Sequence, residues 1–145
     1  MGWLDKIVGK EEMIKNLDHV AIVVSDMDRA IEFYTEVLGL RLILDGRTEG
    51  GEKKSFLGTK SKVLIALSED KNRSAQIGEY VQGVNHVAFG VDDVEKSSRI
   101  LKERGVTFIE IKVGDDGKGK AYHFLDPDGL ELEIYGDSGE EVPQY

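Results

Sequence analysis

The most informative absence in this 145-residue chain is cysteine, of which it has none. A chain without thiols forms no disulfide, carries no thiolate nucleophile and builds no cysteine metal site. Proline is scarce at two residues, and no apolar run approaches the roughly 18 residues that a membrane span needs. The first fifteen residues mix acidic and basic side chains and lack the apolar core of a secretory signal. We therefore expect a cytoplasmic protein with no membrane partner.

The charge balance excludes another class of function. Nineteen Lys and Arg against twenty-eight Asp and Glu give a formal net charge of −9 at pH 7. On average such a surface repels a phosphate backbone, so we do not expect nucleic-acid binding. The length is that of one compact domain, which buries roughly two-thirds of the surface exposed by the unfolded chain.

The sequence contains an internal duplication with a spacing of 67 residues, the interval from His19 to His86. The stretch DHVAIVVSD at 18–26 matches NHVAFGVDD at 85–93. In both copies bulky apolar residues alternate with a histidine and small residues, a pattern typical of a strand with one covered face. The small residues beside each histidine predict an open second face with room for a ligand.

A helix is predicted after each of these strands. Apolar residues recur at helical spacing from Asp26 to Leu38, and residue 25 or 26 is suited to cap the helix start. Gly39 and Gly105 follow the two helices, where a left-handed glycine commonly ends a helix. Three strand-like runs follow each helix, and the last two are joined by the turn sequence DPDG at 126–129. Each half therefore reads β-α-β-β-β.

These elements predict the domain organisation. We expect an N-terminal helical extension at 1–16 and a single domain at 17–135. The domain comprises two modules, at 17–70 and 84–135, and a flexible tail follows at 136–145. The predicted class is α+β.

The paired modules, with LDHVAIVVSDMDRAIEFYTEVLGL in front and YHFLDPDGLELEIYG behind, resemble the vicinal oxygen chelate superfamily. This superfamily includes glyoxalase I, fosfomycin-resistance enzymes, extradiol dioxygenases and bleomycin-resistance proteins. The resemblance covers residues 17–135 and implies that the two modules form one cupped mixed sheet around a divalent metal.

The resemblance also implies the metal ligands. His19 and His86 correspond to the first-strand ligands of the two modules, and Glu133 to the last-strand ligand of the second. The matching position of the first module is Ala66, where glyoxalase I usually has Glu or Gln. Two imidazoles and one carboxylate suit a divalent first-row metal with open positions. Fe²⁺ or Mn²⁺ is favoured, and Zn²⁺, Ni²⁺ and Co²⁺ are the alternatives.

The third histidine, His123, lies ten residues before Glu133, at a position where ring-cleaving dioxygenases commonly have a substrate-contacting tyrosine. A histidine there can act as a catalytic acid or base near neutral pH. A packing role for His123 is the alternative.

The resemblance leaves three functions open for a small-molecule substrate chelated to the metal. The first expectation is an extradiol-dioxygenase-like enzyme, because a two-histidine, one-carboxylate site with open positions is the arrangement of non-heme Fe²⁺ oxygenases. The second is a glyoxalase-type lyase or isomerase, or a fosfomycin-type thiol transferase. The third is a non-catalytic drug- or metabolite-binding protein. Family analogy and the apolar N-terminal segment also predict a homodimer.

Overall fold

Two four-stranded sheets, one from each half of the chain, form the framework of the computed structural model, which describes residues 11–48, 53–72, 83–113 and 119–137. The first half contains β1 (Val20–Val24), α1 (Met27–Glu32), a π-helical turn (Phe33–Val37), β2 (Arg41–Leu44), β3 (Lys54–Gly58) and β4 (Val63–Glu69). The second half contains β5 (His86–Gly90), α2 (Val94–Glu103), β6 (Glu110–Val113), β7 (Gly119–Leu125) and β8 (Glu131–Asp137). The predicted α+β fold of two βαβββ modules is confirmed.

The two sheets have the same topology, and their first and last strands pair in the same register. Their strand orders are β1-β4-β3-β2 and β5-β8-β7-β6, with the first and last strands of each module pairing in parallel. Ala21 lies opposite Ala66 in the first sheet, and Ala88 lies opposite Glu133 in the second. Ala88 lies 67 positions after Ala21, and Glu133 lies 67 positions after Ala66. Ala66 and Glu133 therefore occupy equivalent positions in the two sheets.

The predicted signals for helix starts and ends are confirmed. Asp26 and Asp93 cap α1 and α2, each accepting a hydrogen bond from the backbone N–H three residues later. Gly39 and Gly105 adopt positive φ angles of 75° and 91°, a conformation that side chains disfavour. The one unpredicted feature of the first helix is its last turn, which is π-helical rather than α-helical.

One continuous apolar core lies between the modules, on the helix side of both sheets. Ile22 and Val24 of β1 pack in the same cluster as Phe124 and Leu132 of the second module. The alternate residues of β1, Ala21 and Val23, lie on the other face and are exposed. The covered and open faces of the strands therefore match the alternation in the sequence, and the open faces of both sheets point away from the shared core.

Polar contacts at the DPDG turn fix the modules against each other. The buried Tyr34 hydroxyl donates a 2.8 Å hydrogen bond to Asp126 Oδ2. Asp128 accepts a 3.0 Å hydrogen bond from the Ser25 backbone N–H and pairs with Arg29 at 3.1 Å. These contacts join the start and end of the first helical segment to the turn that precedes β8, the strand that carries Glu133.

Parts of the predicted organisation differ from the structure or lie outside it. The strand-like run at 106–113 forms a strand only from Glu110, because Val106 and Phe108 turn inward against the core. Of the predicted N-terminal helix at 1–16, residues 1–10 lie outside the described residues, and 11–16 form no helix. β8 extends to Asp137, and the rest of the predicted tail lies outside the described residues. Among the helices that the structure describes, none has the length and apolarity of a membrane span.

Candidate metal centre

The open face of the second sheet carries a row of ionisable side chains across all four strands. His86 begins β5, Glu133 lies on β8, His123 on β7 and Glu110 on β6. The register places Glu133 opposite His123 and His123 opposite Glu110. Because Ala88 is the β5 neighbour of Glu133, a small side chain lies beside the carboxylate. This space is the room that the sequence pattern predicts.

His86 and Glu133 are spaced as two ligands of one ion would be. His86 Nε2 lies 3.0 Å from Glu133 Oε2. Two ligands at right angles, each about 2.1 Å from a metal, lie about 3 Å apart. The Glu133 side chain is only 11% exposed, so its charge lies largely out of water. Such a buried charge is costly unless a proton donor or a cation compensates it. The donor types and their spacing therefore fit a divalent metal.

His123 joins this pair and is almost completely buried, at 5% exposure. Its Nε2 lies 3.7 Å from Glu133 Oε2, and its ring meets the His86 ring edge-on with centroids 5.6 Å apart. The structure thus brings together three of the four predicted site residues. An acid or base at this position would act next to the metal ligands.

His19 lies at the equivalent position of the first module, on the open face of the other sheet. It is exposed, and its Nδ1 lies 2.7 Å from Asp18 Oδ1. Within one chain, no cluster of three possible metal ligands among the described residues contains His19. The single chain therefore does not bring His19 to His86 and Glu133.

The residue before each histidine is a partner that sequence reasoning missed. Asn85 Oδ1 lies 2.9 Å from His86 Nδ1, just as Asp18 contacts His19. An acceptor at Nδ1 places the proton there and leaves the Nε2 lone pair free for a metal. The hydrogen bond from His19 lowers the pKa of Asp18. The shared Asx-His pair, repeated at 67 residues, was the available signal.

Glu110 and Glu131 were also missed as members of the site. The Glu131 carboxylate lies 3.4 Å from His123 Nδ1, and its side chain is 26% exposed. Three possible ligand atoms, one from each of Glu110, His123 and Glu131, lie within 4.8 Å of one another. Only the strand register reveals this cluster, because Glu110 and Glu131 are 21 positions apart (131 − 110) on non-adjacent strands.

Two lysines of the second module, Lys118 and Lys120, have the charge to contact an anionic substrate. Lys118 lies outside the described residues. Lys120 forms a 2.7 Å ion pair with Glu95 of α2, and the Tyr122 hydroxyl donates to the same carboxylate. The hydrogen bond from Lys120 lowers the pKa of Glu95. Lys120 therefore faces the helix rather than the open face of the sheet.

Comparison with known proteins identifies relatives of several kinds. The family model described as Glyoxalase/Bleomycin resistance protein/Dioxygenase superfamily matches residues 16–134. Metallothiol transferase FosB of Staphylococcus epidermidis is 31% identical over 92% of this chain and 91% of its own length. Lactoylglutathione lyase of Schizosaccharomyces pombe is 32% identical over 84% of this chain but 47% of its own length. The crystal structure of a glyoxalase family protein from Enterococcus faecalis superimposes with a TM-score of 0.67 at 32% identity, covering 83% of this chain and 97% of that one.

Proposed function

Because the chain belongs to the glyoxalase/bleomycin resistance/dioxygenase superfamily, we propose that it is a metal-dependent thiol transferase of the fosfomycin-resistance type. Its substrate would be a small oxygenated electrophile that chelates a divalent ion. The similar curated proteins include a metallothiol transferase and a lactoylglutathione lyase, which favours these activities over the extradiol dioxygenase expected first.

The observation that carries the choice is Ala66. The strand register makes Ala66 the counterpart of Glu133, so one module supplies a carboxylate and the other supplies a methyl group. A glyoxalase I-like centre usually has a Glu or Gln at the position of Ala66. A centre with two histidines and one carboxylate instead leaves about three positions of an octahedral ion for water and substrate.

We assign the metal ligands to His86 and Glu133 of one chain and His19 of a second copy. The pair in one chain already has ligand spacing, whereas His19 lies on the open face of the other module. Pairing the open face of the first module with the open face of the second, across two chains, brings His19 to the pair. A two-fold dimer forms two such centres, since each chain gives one face to each.

The open face of the first module has apolar surface that a dimer of this kind would cover. Val23 of β1 is 45% exposed and Ile43 of β2 is 49% exposed, both in the first module. Burial of such side chains stabilises association. The homodimer is therefore part of the proposal, and the substrate would bind in the cup between the two chains.

These ligands would hold a divalent ion, Mn²⁺ or Fe²⁺ by preference, which would supply Lewis-acid polarisation of the substrate oxygens. In the proposed reaction a thiol sulfur forms a C–S bond while a C–O bond of the substrate breaks, and the thiol proton ends on the released oxygen. His123 would transfer a proton in this reaction, which its position 3.7 Å from Glu133 supports. His86 is held for metal binding by Asn85, and no oxidant or reductant is needed.

The experiment is a thiol-consumption assay of the Mn²⁺-loaded protein. Fosfomycin with glutathione or cysteine is tested beside methylglyoxal with glutathione, and beside catechol with O₂. We expect thiol loss with fosfomycin that requires metal and falls at least tenfold in Glu133→Ala. Turnover of catechol alone would overturn the proposal in favour of a dioxygenase.

The second candidate is a glyoxalase-type lyase, favoured by the similarity to lactoylglutathione lyase. In that case the methylglyoxal–glutathione adduct is converted and fosfomycin is not. The same assay therefore separates the two candidates.

A further inference from the structure

The cluster of Glu110, His123 and Glu131 differs from the pair that we assign to the first metal. Its three residues lie on the adjacent strands β6, β7 and β8, on the open face of the second sheet. One possible ligand atom from each residue lies within 4.8 Å of the other two. Ligands of one first-row ion commonly have such separations, since each lies about 2.1 Å from the metal.

His123 supplies an independent sign that this cluster binds a ligand. The residue is 5% exposed, and its buried Nδ1 atom has no hydrogen-bond partner among the described residues. Glu131 Oε1 lies 3.4 Å away, at a distance beyond that of an ordinary N–H···O bond. Buried polar side-chain atoms usually have a partner, so an unpartnered nitrogen between two carboxylates calls for one.

The charges around His123 favour a cation as that partner. Glu110, Glu131 and Glu133 place three carboxylates on two strands around one imidazole. Within the described residues, the basic side chain that forms an ion pair with one of these carboxylates is Lys112, which lies 3.5 Å from Glu110 at an exposed site. Repulsion among partly buried carboxylates is stronger than in water, and a divalent ion relieves it.

We propose that Glu110, His123 Nδ1 and Glu131 bind a second divalent first-row cation beside the His86–Glu133 pair. One imidazole and two carboxylates suit Mn²⁺, Fe²⁺ or Zn²⁺. The three ligands leave room for water or for an anionic group of a substrate. The second ion would thus make an acidic sheet face able to receive a negatively charged substrate.

The orientation of His123 agrees with this assignment. A histidine that binds a metal through one nitrogen usually donates its other N–H to a carboxylate. In His123 the other nitrogen, Nε2, is on the side of Glu133, whose Oε2 lies 3.7 Å away, so a small approach of the two side chains would be needed for this hydrogen bond. With an ion on Nδ1 the ring proton lies on Nε2, so His123 serves as a proton donor toward the first site rather than as a base.

Equilibrium dialysis against Mn²⁺ followed by metal analysis tests the second site directly. We expect two Mn²⁺ ions per chain in the wild-type protein and one in Glu131→Gln and Glu110→Gln. His86→Ala should also retain one ion, held at the second site. Glu103→Gln, which changes an exposed carboxylate at the end of α2, is the matched control and should bind two. Circular dichroism checks that each variant is folded.

Two results would overturn the second site. In the first, the wild-type protein binds one ion per chain and the Glu131→Gln variant still binds that ion. The other is a single ion lost in both Glu131→Gln and His86→Ala, which would mean one centre made of both sets of ligands. A single ion lost in Glu131→Gln and kept in His86→Ala would instead support the new site and contradict the metal ligands of the proposed function. The two proposals therefore fail separately.

Discussion

Removing the hydroxyl of Tyr34 tests how the two modules are held together. Tyr34 is fully buried, and its hydroxyl donates a 2.8 Å hydrogen bond to the buried Asp126 carboxylate of the other module. Asp126 also accepts hydrogen bonds from the backbone N–H groups of Asp128 and Leu130, within the DPDG turn. In Tyr34→Phe the ring stays in the core while the carboxylate loses its side-chain donor.

The expected loss follows from the type of bond. A hydrogen bond to a charged group contributes about 1.5–3 kcal/mol, so we expect the free energy of unfolding to fall by about 2 kcal/mol. For a chain of this length that corresponds to a decrease in Tm of about 4–8 °C.

The loss should also depend on pH. Burial raises the pKa of Asp126 above 3.8, and the hydrogen bond from Tyr34 opposes that rise. A raised pKa means that the folded state binds the proton more tightly than the unfolded state, so stability falls as pH rises from 3.8 through the folded-state pKa. Tyr34→Phe should raise the pKa of Asp126 further. The free energy of unfolding that the variant loses relative to wild type should therefore be larger at pH 8 than at pH 5.

Urea unfolding of both proteins at pH 5 and pH 8 measures these effects. Tyr122→Phe is the matched comparison, because Glu95 keeps Lys120 as a donor when the Tyr122 hydroxyl is removed. Its expected loss is about 1 kcal/mol or less. Equal losses in the two variants, or a loss from Tyr34→Phe that does not grow with pH, would refute the role given to Asp126.

Three further predictions concern the metal centre and the dimer. His86→Ala and Glu133→Ala should each abolish Mn²⁺ binding at the first site while the far-ultraviolet circular dichroism stays unchanged; full occupancy in both would place that site elsewhere. Asn85→Ala should weaken Mn²⁺ binding by about 10–100-fold, because the acceptor at His86 Nδ1 orients the ligand, and an unchanged Kd would contradict that role. Sedimentation at micromolar concentration should show a dimer, and Val23→Lys should shift it toward monomer by placing a charge on the open face; a wild-type monomer would argue against the shared cup.

Much of the fold was predictable because the duplication repeats local signals. Strand alternation, capping aspartates and terminal glycines each depend on a few neighbouring residues, and each occurs twice. The proximity of His86 and Glu133 followed from the resemblance, which assigns them to the first and last strands of a module, and these strands pair in parallel. The resemblance added the chemistry that links these two positions.

The features that could not be predicted depend on longer-range geometry. Glu110 faces His123 only through the register of β6 and β7, which depends on where β6 begins. The inward turn of Val106 and Phe108 sets that beginning, and the sequence pattern at 106–113 does not show it. The separation of His19 from His86 likewise follows from the packing of the helices between the two sheets, which strand periodicity does not encode.

A complementation measurement tests the shared metal centre most directly. His19→Ala and His86→Ala are each purified, unfolded together, refolded as a mixture and analysed for Mn²⁺ at the first site, with Glu131→Gln present in both chains to remove the second. If each centre takes His19 from one chain and His86 with Glu133 from the other, mixed dimers regain one intact centre, and about a quarter of all first sites recover metal. If the mixture binds no more Mn²⁺ than the separate variants, the three ligands do not meet across two chains and the proposed centre is wrong.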